Sequence, residues 1–126
     1  MPTVLENISL DVFKSMLSSL SHDKIIIIRF TAEWCKPCKN IDPLCTKYFS
    51  NCNNNIIPIL IDIDEALDIY ASLKRYKMVN GIPALMAYFG NQKNDHWFVC
   101  NDMVNSGNVD SVNQFLTRCE LRAKKI

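Results

Sequence analysis

Four consecutive isoleucines, Ile25–Ile28, constrain the fold more than any other feature of the sequence. They belong to an apolar segment from Lys24 to Phe30 that is rich in β-branched side chains. A short segment of this kind predicts a strand that is buried on both faces. Because such a strand needs helices above and below its sheet, the sequence predicts an α/β fold with a central sheet.

The spacing of apolar residues predicts further elements on both sides of this strand. Helical spacing occurs over residues 10–20, 34–49, 65–76 and 110–124, and strand patterns occur over 56–63, 84–89 and 96–100, with a short strand near 3–5. The Asn-rich stretch 51–55 is interpreted as a loop. This order predicts a parallel, right-handed first half of the sheet, followed by a hairpin and a final helix.

Length and charge exclude several classes of protein. The 126 residues suit a single domain covering 1–126, and 14 Lys and Arg against 13 Asp and Glu leave a net charge of +1. Without a basic field, nucleic acid and anionic membranes are not expected partners. No apolar run approaches the roughly 20 residues of a membrane-spanning helix, and the amino terminus lacks a secretory pattern. We therefore expect a cytoplasmic protein.

The six cysteines do not have the spacing of a disulfide framework. In a reducing compartment most of them should be free thiols. Cys45 and Cys119 lie at helical core positions, so we interpret them as small buried apolar residues. Cys52 and Cys100 are the better candidates for accessory oxidation or for an intermolecular link.

A Cys-x-x-Cys motif directly follows the buried strand and begins the next predicted helix. The first turn of a helix has free N–H groups and the positive end of the helix dipole, which stabilise a thiolate at Cys35. Cys38 lies one turn further on the same face, within reach of the Cys35 sulfur. Pro37 suits the first turn because its missing N–H costs nothing there.

A Cys-x-x-Cys motif can alternatively be half of a zinc-binding site. A structural zinc or an iron–sulfur cluster needs about four ligands. The sequence has no second motif of this kind, and His22 and His96 each stand alone. We therefore expect neither a metal nor another cofactor.

The sequence resembles the thioredoxin family from about residue 10 to residue 120. The resemblance rests on Phe30, Ala32–Cys35, Pro37–Lys39, Pro43, Asp62–Asp64 and Gly81–Pro83. It implies a thioredoxin fold, with a mixed sheet of four to five strands flanked by four helices. It also implies a thiol–disulfide oxidoreductase that reduces protein disulfides and serves cell redox homeostasis.

The resemblance further assigns roles and partners. Cys35 would be the attacking cysteine and Cys38 the buried resolving cysteine. The implied partners are proteins that contain disulfides and a separate electron donor of the thioredoxin-reductase type. The protein would act as a monomer.

The same resemblance implies a surface that binds the substrate. Trp34 would flank the cysteines, and Lys36 and Pro37 would lie between them. Pro83 would follow a cis peptide bond and leave the Ile82 backbone free to pair with an extended substrate. An ordinary trans bond at Pro83 is the alternative.

Several positions depart from the family pattern. Arg29 stands where the family has a buried acid, and Leu60 where it commonly has a lysine. Lys36 replaces the usual glycine between the cysteines. The glycine loop before the last helix matches only loosely, around Ser106–Gly107.

Arg29 and Lys36 are the expected pKa-tuning residues. By strand alternation Arg29 shares a face with Ile25 and Ile27, and by the resemblance it lies below Cys38. There its charge would favour the Cys38 thiolate and make the redox potential less negative. In the alternative interpretation, Arg29 turns its head group out to water.

Two other functions stay open at this level. Loss of the buried acid favours a binding module of the same fold with little or no turnover, whereas both retained cysteines disfavour it. A more oxidising disulfide oxidase or isomerase would differ only in redox potential.

Overall fold

A mixed sheet runs through the centre of the structure, a computed structural model that describes residues 3–125. Its strands are β1 (Leu5–Glu6), β2 (Ile25–Thr31), β3 (Ile56–Asp62), β4 (Ala84–Phe89) and β5 (Asp102–Val104). They lie in the order β1-β3-β2-β4-β5. β1, β3 and β2 are parallel, and β4 is antiparallel to β2 and β5. The predicted parallel first half is therefore confirmed, and the predicted hairpin is present with its second strand at Asp102–Val104.

Helices cover both faces of this sheet. They are α1 (Leu10–Ser18), α2 (Lys36–Asn51), α3 (Asp68–Arg75) and α4 (Val109–Lys124). α2 and α4 contact each other on one face, and α1 and α3 contact each other on the opposite face. None of the helices within residues 3–125 is long and apolar enough to cross a membrane.

The isoleucine strand is buried as its sequence predicts. All four side chains from Ile25 to Ile28 are fully inaccessible to solvent. Ile25 and Ile27 pack in the layer beneath α2 and α4, whereas Ile26 and Ile28 pack beneath α1 and α3. β2 therefore supplies apolar side chains to both halves of the core, as a central strand of a covered sheet must.

The strand predicted over residues 96–100 is wrong. These residues lie in the connection between β4 and β5, and pairing with β4 starts only after Asn101. The Trp97 ring packs edge-on against Phe13 and Tyr76, with centroids 6.3 and 6.2 Å apart. Aromatic residues favour strands, but here tertiary packing onto α1 and the end of α3 outweighs that preference.

The Asn-rich stretch is only partly a loop. α2 continues through Asn51, so the loop is limited to residues 52–55. Cys52 is consequently buried in the same core as Cys45 and Cys119, and this burial disfavours the accessory oxidation or intermolecular link expected of it. Cys100 is partly buried.

Replacing Cys45 or Cys119 by alanine should lower stability and leave turnover nearly unchanged. Both side chains are fully buried, so each change should cost about 1 kcal/mol of the free energy of unfolding. Urea unfolding and a disulfide-reduction assay on the same samples test this together. Loss of activity at unchanged stability would reveal a second redox site.

The buried thiols should also make the protein less stable at alkaline pH. Burial raises the pKa of Cys119 from 9.0 to about 12, and it raises the pKa values of Cys45 and Cys52. The folded state therefore holds these protons more tightly than the unfolded state. The resulting stabilisation is complete below pH 9.0 and is lost as pH rises toward about 12.

Urea unfolding between about pH 8 and about pH 11 measures this decline. Cys119→Ala should make the decline shallower, because one of the contributing thiols is gone. A free energy of unfolding that stays constant over this range would contradict the prediction.

Candidate active site

Cys35 caps the amino terminus of α2. Its backbone is extended and its N–H donates to the Ala32 carbonyl at 3.1 Å, in the turn that leaves β2. Its sulfur accepts the Cys38 N–H at 3.2 Å. The Cys35 sulfur thus takes one of the N–H groups that a helix leaves free at its first turn, where the dipole favours negative charge.

Cys35 and Cys38 form a disulfide with their Cα atoms 5.2 Å apart. Cys38 is fully buried, while Cys35 retains 4% of its surface in contact with solvent. Ala32, Ile63 and Ile82 pack around the pair. An incoming sulfur can therefore approach from the Cys35 side, because protein covers the Cys38 side.

The loop Gly81–Pro83 lies against this disulfide. The Ile82–Pro83 peptide bond is cis, as the resemblance implies, so the trans alternative is wrong. Gly81 has φ +89°, a conformation that strongly favours glycine. Ile82 is partly buried against the cysteines and Pro83 is buried.

Trp34 lies beside the disulfide, with 67% of its surface exposed. Its indole Nε1–H donates to the carboxylate of Asp64 at 2.8 Å. The Asp64 N–H in turn donates to the Asp62 carboxylate at 2.9 Å. The segment that follows β3 therefore fixes the orientation of the tryptophan ring, while most of the side chain stays exposed.

Lys36 and Pro37 are exposed in the first turn of α2. Gly107 packs directly on this turn, since a Cβ atom at Gly107 would lie 2.7 Å from the Pro37 Cβ. The Asn40 side chain donates to the Gly107 carbonyl at 3.1 Å. The loosely matching glycine loop thus contacts the start of the active-site helix, and only glycine permits this close approach.

Arg29 is buried beneath α2, so the interpretation that turns its head group to water is wrong. Only 4% of the residue is exposed. Its guanidinium donates to the Cys38 carbonyl at 3.2 Å and forms an ion pair with Asp42. The effect of Arg29 on the Cys38 sulfur stays a prediction. The Asp42 carboxylate balances part of the Arg29 charge.

Sequence reasoning missed Asp42. The signal was present, because Asp42 follows Cys38 by four residues and so lies on the same face of α2. Asp42 projects over the end of β2, where it meets Arg29, and half of its side chain remains exposed. The family's buried acid on β2 is thus replaced by a buried base on β2 and an acid on α2.

Among residues 3–125, no three His, Cys, Asp or Glu side chains are grouped so that they could hold a metal ion.

Comparisons with known proteins agree with this geometry. The family model described as Thioredoxin matches residues 4–115. A thioredoxin of Coprinus comatus is 36% identical over 88 residues, which are 69% of this chain and 76% of that protein. A thioredoxin of Mus musculus is 32% identical over 89 residues, 68% of this chain and 75% of that protein.

The fold agrees with solved structures as well. The structure of Malassezia sympodialis thioredoxin superposes with a TM-score of 0.69 at 22% identity, and the match covers 94% of this chain and 91% of that one. The predicted thioredoxin fold is therefore confirmed. Fold and disulfide together define a thiol–disulfide oxidoreductase. The chain belongs to the thioredoxin family.

Proposed function

We propose that this protein reduces disulfide bonds in other proteins, with Cys35 as the attacking cysteine and Cys38 as the resolving cysteine. The observation that carries the proposal is the position of the Cys35 sulfur. It caps α2, accepts the Cys38 N–H, and belongs to the less buried member of the disulfide. In the reduced protein the same N–H and the helix dipole stabilise a thiolate there, and thiolate is the reactive form.

The reaction proceeds in two exchange steps. The Cys35 thiolate attacks one substrate sulfur, forms a mixed disulfide and releases the other substrate sulfur as a thiolate. The Cys38 thiolate then attacks the Cys35 sulfur, releases the second substrate thiolate and closes the Cys35–Cys38 disulfide. Two electrons pass to the substrate, and the closing step needs little movement because both sulfurs lie in one helical turn.

The substrate binds across Trp34, Lys36, Pro37, Ile82 and Pro83. The first three are exposed along the start of α2, and the last two belong to the loop that faces them. An extended substrate segment pairs with the Ile82 backbone, in the manner of a strand added to an edge. This arrangement places the substrate disulfide beside Cys35.

A separate reductase of the thioredoxin-reductase type supplies the electrons, because each turnover leaves the protein as a disulfide. The protein works in the cytoplasm and serves redox homeostasis there. Its free thiols at Cys45, Cys52, Cys100 and Cys119 suit a reducing compartment. It acts as a monomer, which sedimentation analysis would test.

Reduction of insulin with dithiothreitol as the electron source tests the proposal. The protein should accelerate insulin reduction well beyond dithiothreitol alone. An unaccelerated rate from protein with an intact Cys35–Cys38 disulfide would instead indicate a binding module. Equilibration with glutathione tests whether the protein reduces or oxidises its substrates. A redox potential near the roughly −270 mV of thioredoxin supports a reductase, and a potential near about −120 mV supports an oxidase.

A further inference from the structure

Asn105, the residue after β5, reaches across to the loop that precedes β4. Its side-chain oxygen accepts the Asn80 N–H at 2.8 Å. Its side-chain nitrogen donates to the Gly81 carbonyl at 3.1 Å and to the Pro83 carbonyl at 3.0 Å. One amide group thus makes three hydrogen bonds to a four-residue stretch of backbone.

These bonds hold both neighbours of Ile82 and leave Ile82 itself free. Within the described range 3–125, neither the N–H nor the C=O of Ile82 has a hydrogen-bond partner. A planar amide that bonds the carbonyls before and after a residue restricts the direction of the peptide groups between them. The Asn105 bonds therefore restrict the orientation of the free Ile82 backbone groups, in a residue whose side chain packs against the disulfide cluster.

The same segment also contacts the other side of the site. Two residues after Asn105, the Gly107 carbonyl accepts from Asn40 on α2, and Gly107 packs on Pro37. The connection between β5 and α4 thus contacts both the start of the cysteine helix and the Ile82 loop.

We propose that Asn105 is a positioning residue that presents the Ile82 backbone to extended polypeptide substrates. It gives the enzyme a preference for protein disulfides over small ones, because a small disulfide needs access to Cys35 but no backbone pairing. Only a carboxamide supplies both the acceptor for Asn80 and the two donors for Gly81 and Pro83. This inference rests on the proposed function.

The experiment compares Asn105→Ala with Asn108→Ala. Asn108 is a matched control, because it lies in the same connection and its side chain accepts one N–H, from Ser111, at the start of α4. Each variant is assayed with insulin and with hydroxyethyl disulfide. Asn105→Ala should reduce kcat/KM for insulin about tenfold, mainly through KM, and change the rate with hydroxyethyl disulfide less than about twofold.

Asn105→Asp keeps the size and the acceptor but places an oxygen against the Gly81 and Pro83 carbonyls. It should lose the preference for insulin as Asn105→Ala does, and it serves in its place if the alanine variant does not fold. Asn108→Ala should keep the wild-type preference. Equal slowing of both substrates by the Asn105 variants, or the same loss in Asn108→Ala, would reduce Asn105 to a structural role.

The two hypotheses fail in different ways. A wild-type protein that reduces neither disulfide contradicts the proposed function. A wild-type protein that prefers insulin, together with Asn105 variants that keep the same preference, contradicts the positioning role alone.

Discussion

Replacing Cys35 with serine should abolish disulfide reduction, lowering insulin turnover at least about a thousandfold. A serine hydroxyl at the start of α2 does not ionise near neutral pH and cannot form the mixed disulfide. Cys38 does not substitute for Cys35, because it is fully buried and its sulfur does not hold the capping position. The insulin assay with dithiothreitol measures the loss directly.

Cys38→Ser should behave differently and accumulate a mixed disulfide. Cys35 still attacks, but no second thiolate is available to release the product. Mass spectrometry of the Cys38→Ser protein after exposure to insulin should find the adduct on Cys35. Adducts that form mainly through Cys38 in the Cys35→Ser protein would reverse the assignment.

Cys100→Ser provides the matched control for both variants. Cys100 is a free, partly buried cysteine in the connection between β4 and β5, and it packs with the α1 and α3 layer of the core, away from the disulfide cluster. This variant should reduce insulin at the wild-type rate. A large loss of activity would mean that serine substitution disturbs the protein in general.

Asp42→Asn should lower the free energy of unfolding by about 2 kcal/mol. The substitution leaves the Arg29 guanidinium without its counter-charge in a site that is 4% exposed. The expected cost lies below that of a fully buried pair, because half of the Asp42 side chain is exposed and solvent already screens it. Urea unfolding of the oxidised proteins measures the change.

Arg29→Met in the Asp42→Asn background should recover much of this loss, since it removes the unpaired charge and keeps an apolar stem. Asp102→Asn is the surface control. It breaks the pair with Arg118, which is half exposed, and should cost less than about 1 kcal/mol. Equal losses of the free energy of unfolding for Asp42→Asn and Asp102→Asn would show that the Arg29–Asp42 pair stabilises the protein no more than a surface ion pair does.

The same Asp42→Asn protein tests the tuning role of Arg29. An unbalanced guanidinium beside Cys38 should favour its thiolate and so stabilise the reduced state. The redox potential should become less negative by a few tens of millivolts, since one unit of thiol pKa corresponds to about 30 mV. A potential unchanged from wild type in a glutathione series would limit Arg29 to a structural role.

Some of the sequence expectations failed where contacts between distant residues decide the structure. The segment 96–100 has the composition of a strand, but Trp97 packs against Phe13, which is 84 positions earlier in the chain. Cys52 lies within an Asn-rich stretch, yet α2 extends far enough to bury it. Neither outcome can be deduced from local composition, because both depend on the surfaces that other elements present.

The sequence by itself determined the central strand, the order of the elements and the redox pair. Each of these follows from local physics: four β-branched residues in a row, apolar spacing with helical or strand period, and two cysteines one turn apart at a helix start. Only the tertiary structure decided that Asp42 balances Arg29 and that Asn105 holds the carbonyls on both sides of Ile82. Both sets of contacts join residues on separate elements, so they form only when the sheet and helices bring those residues together.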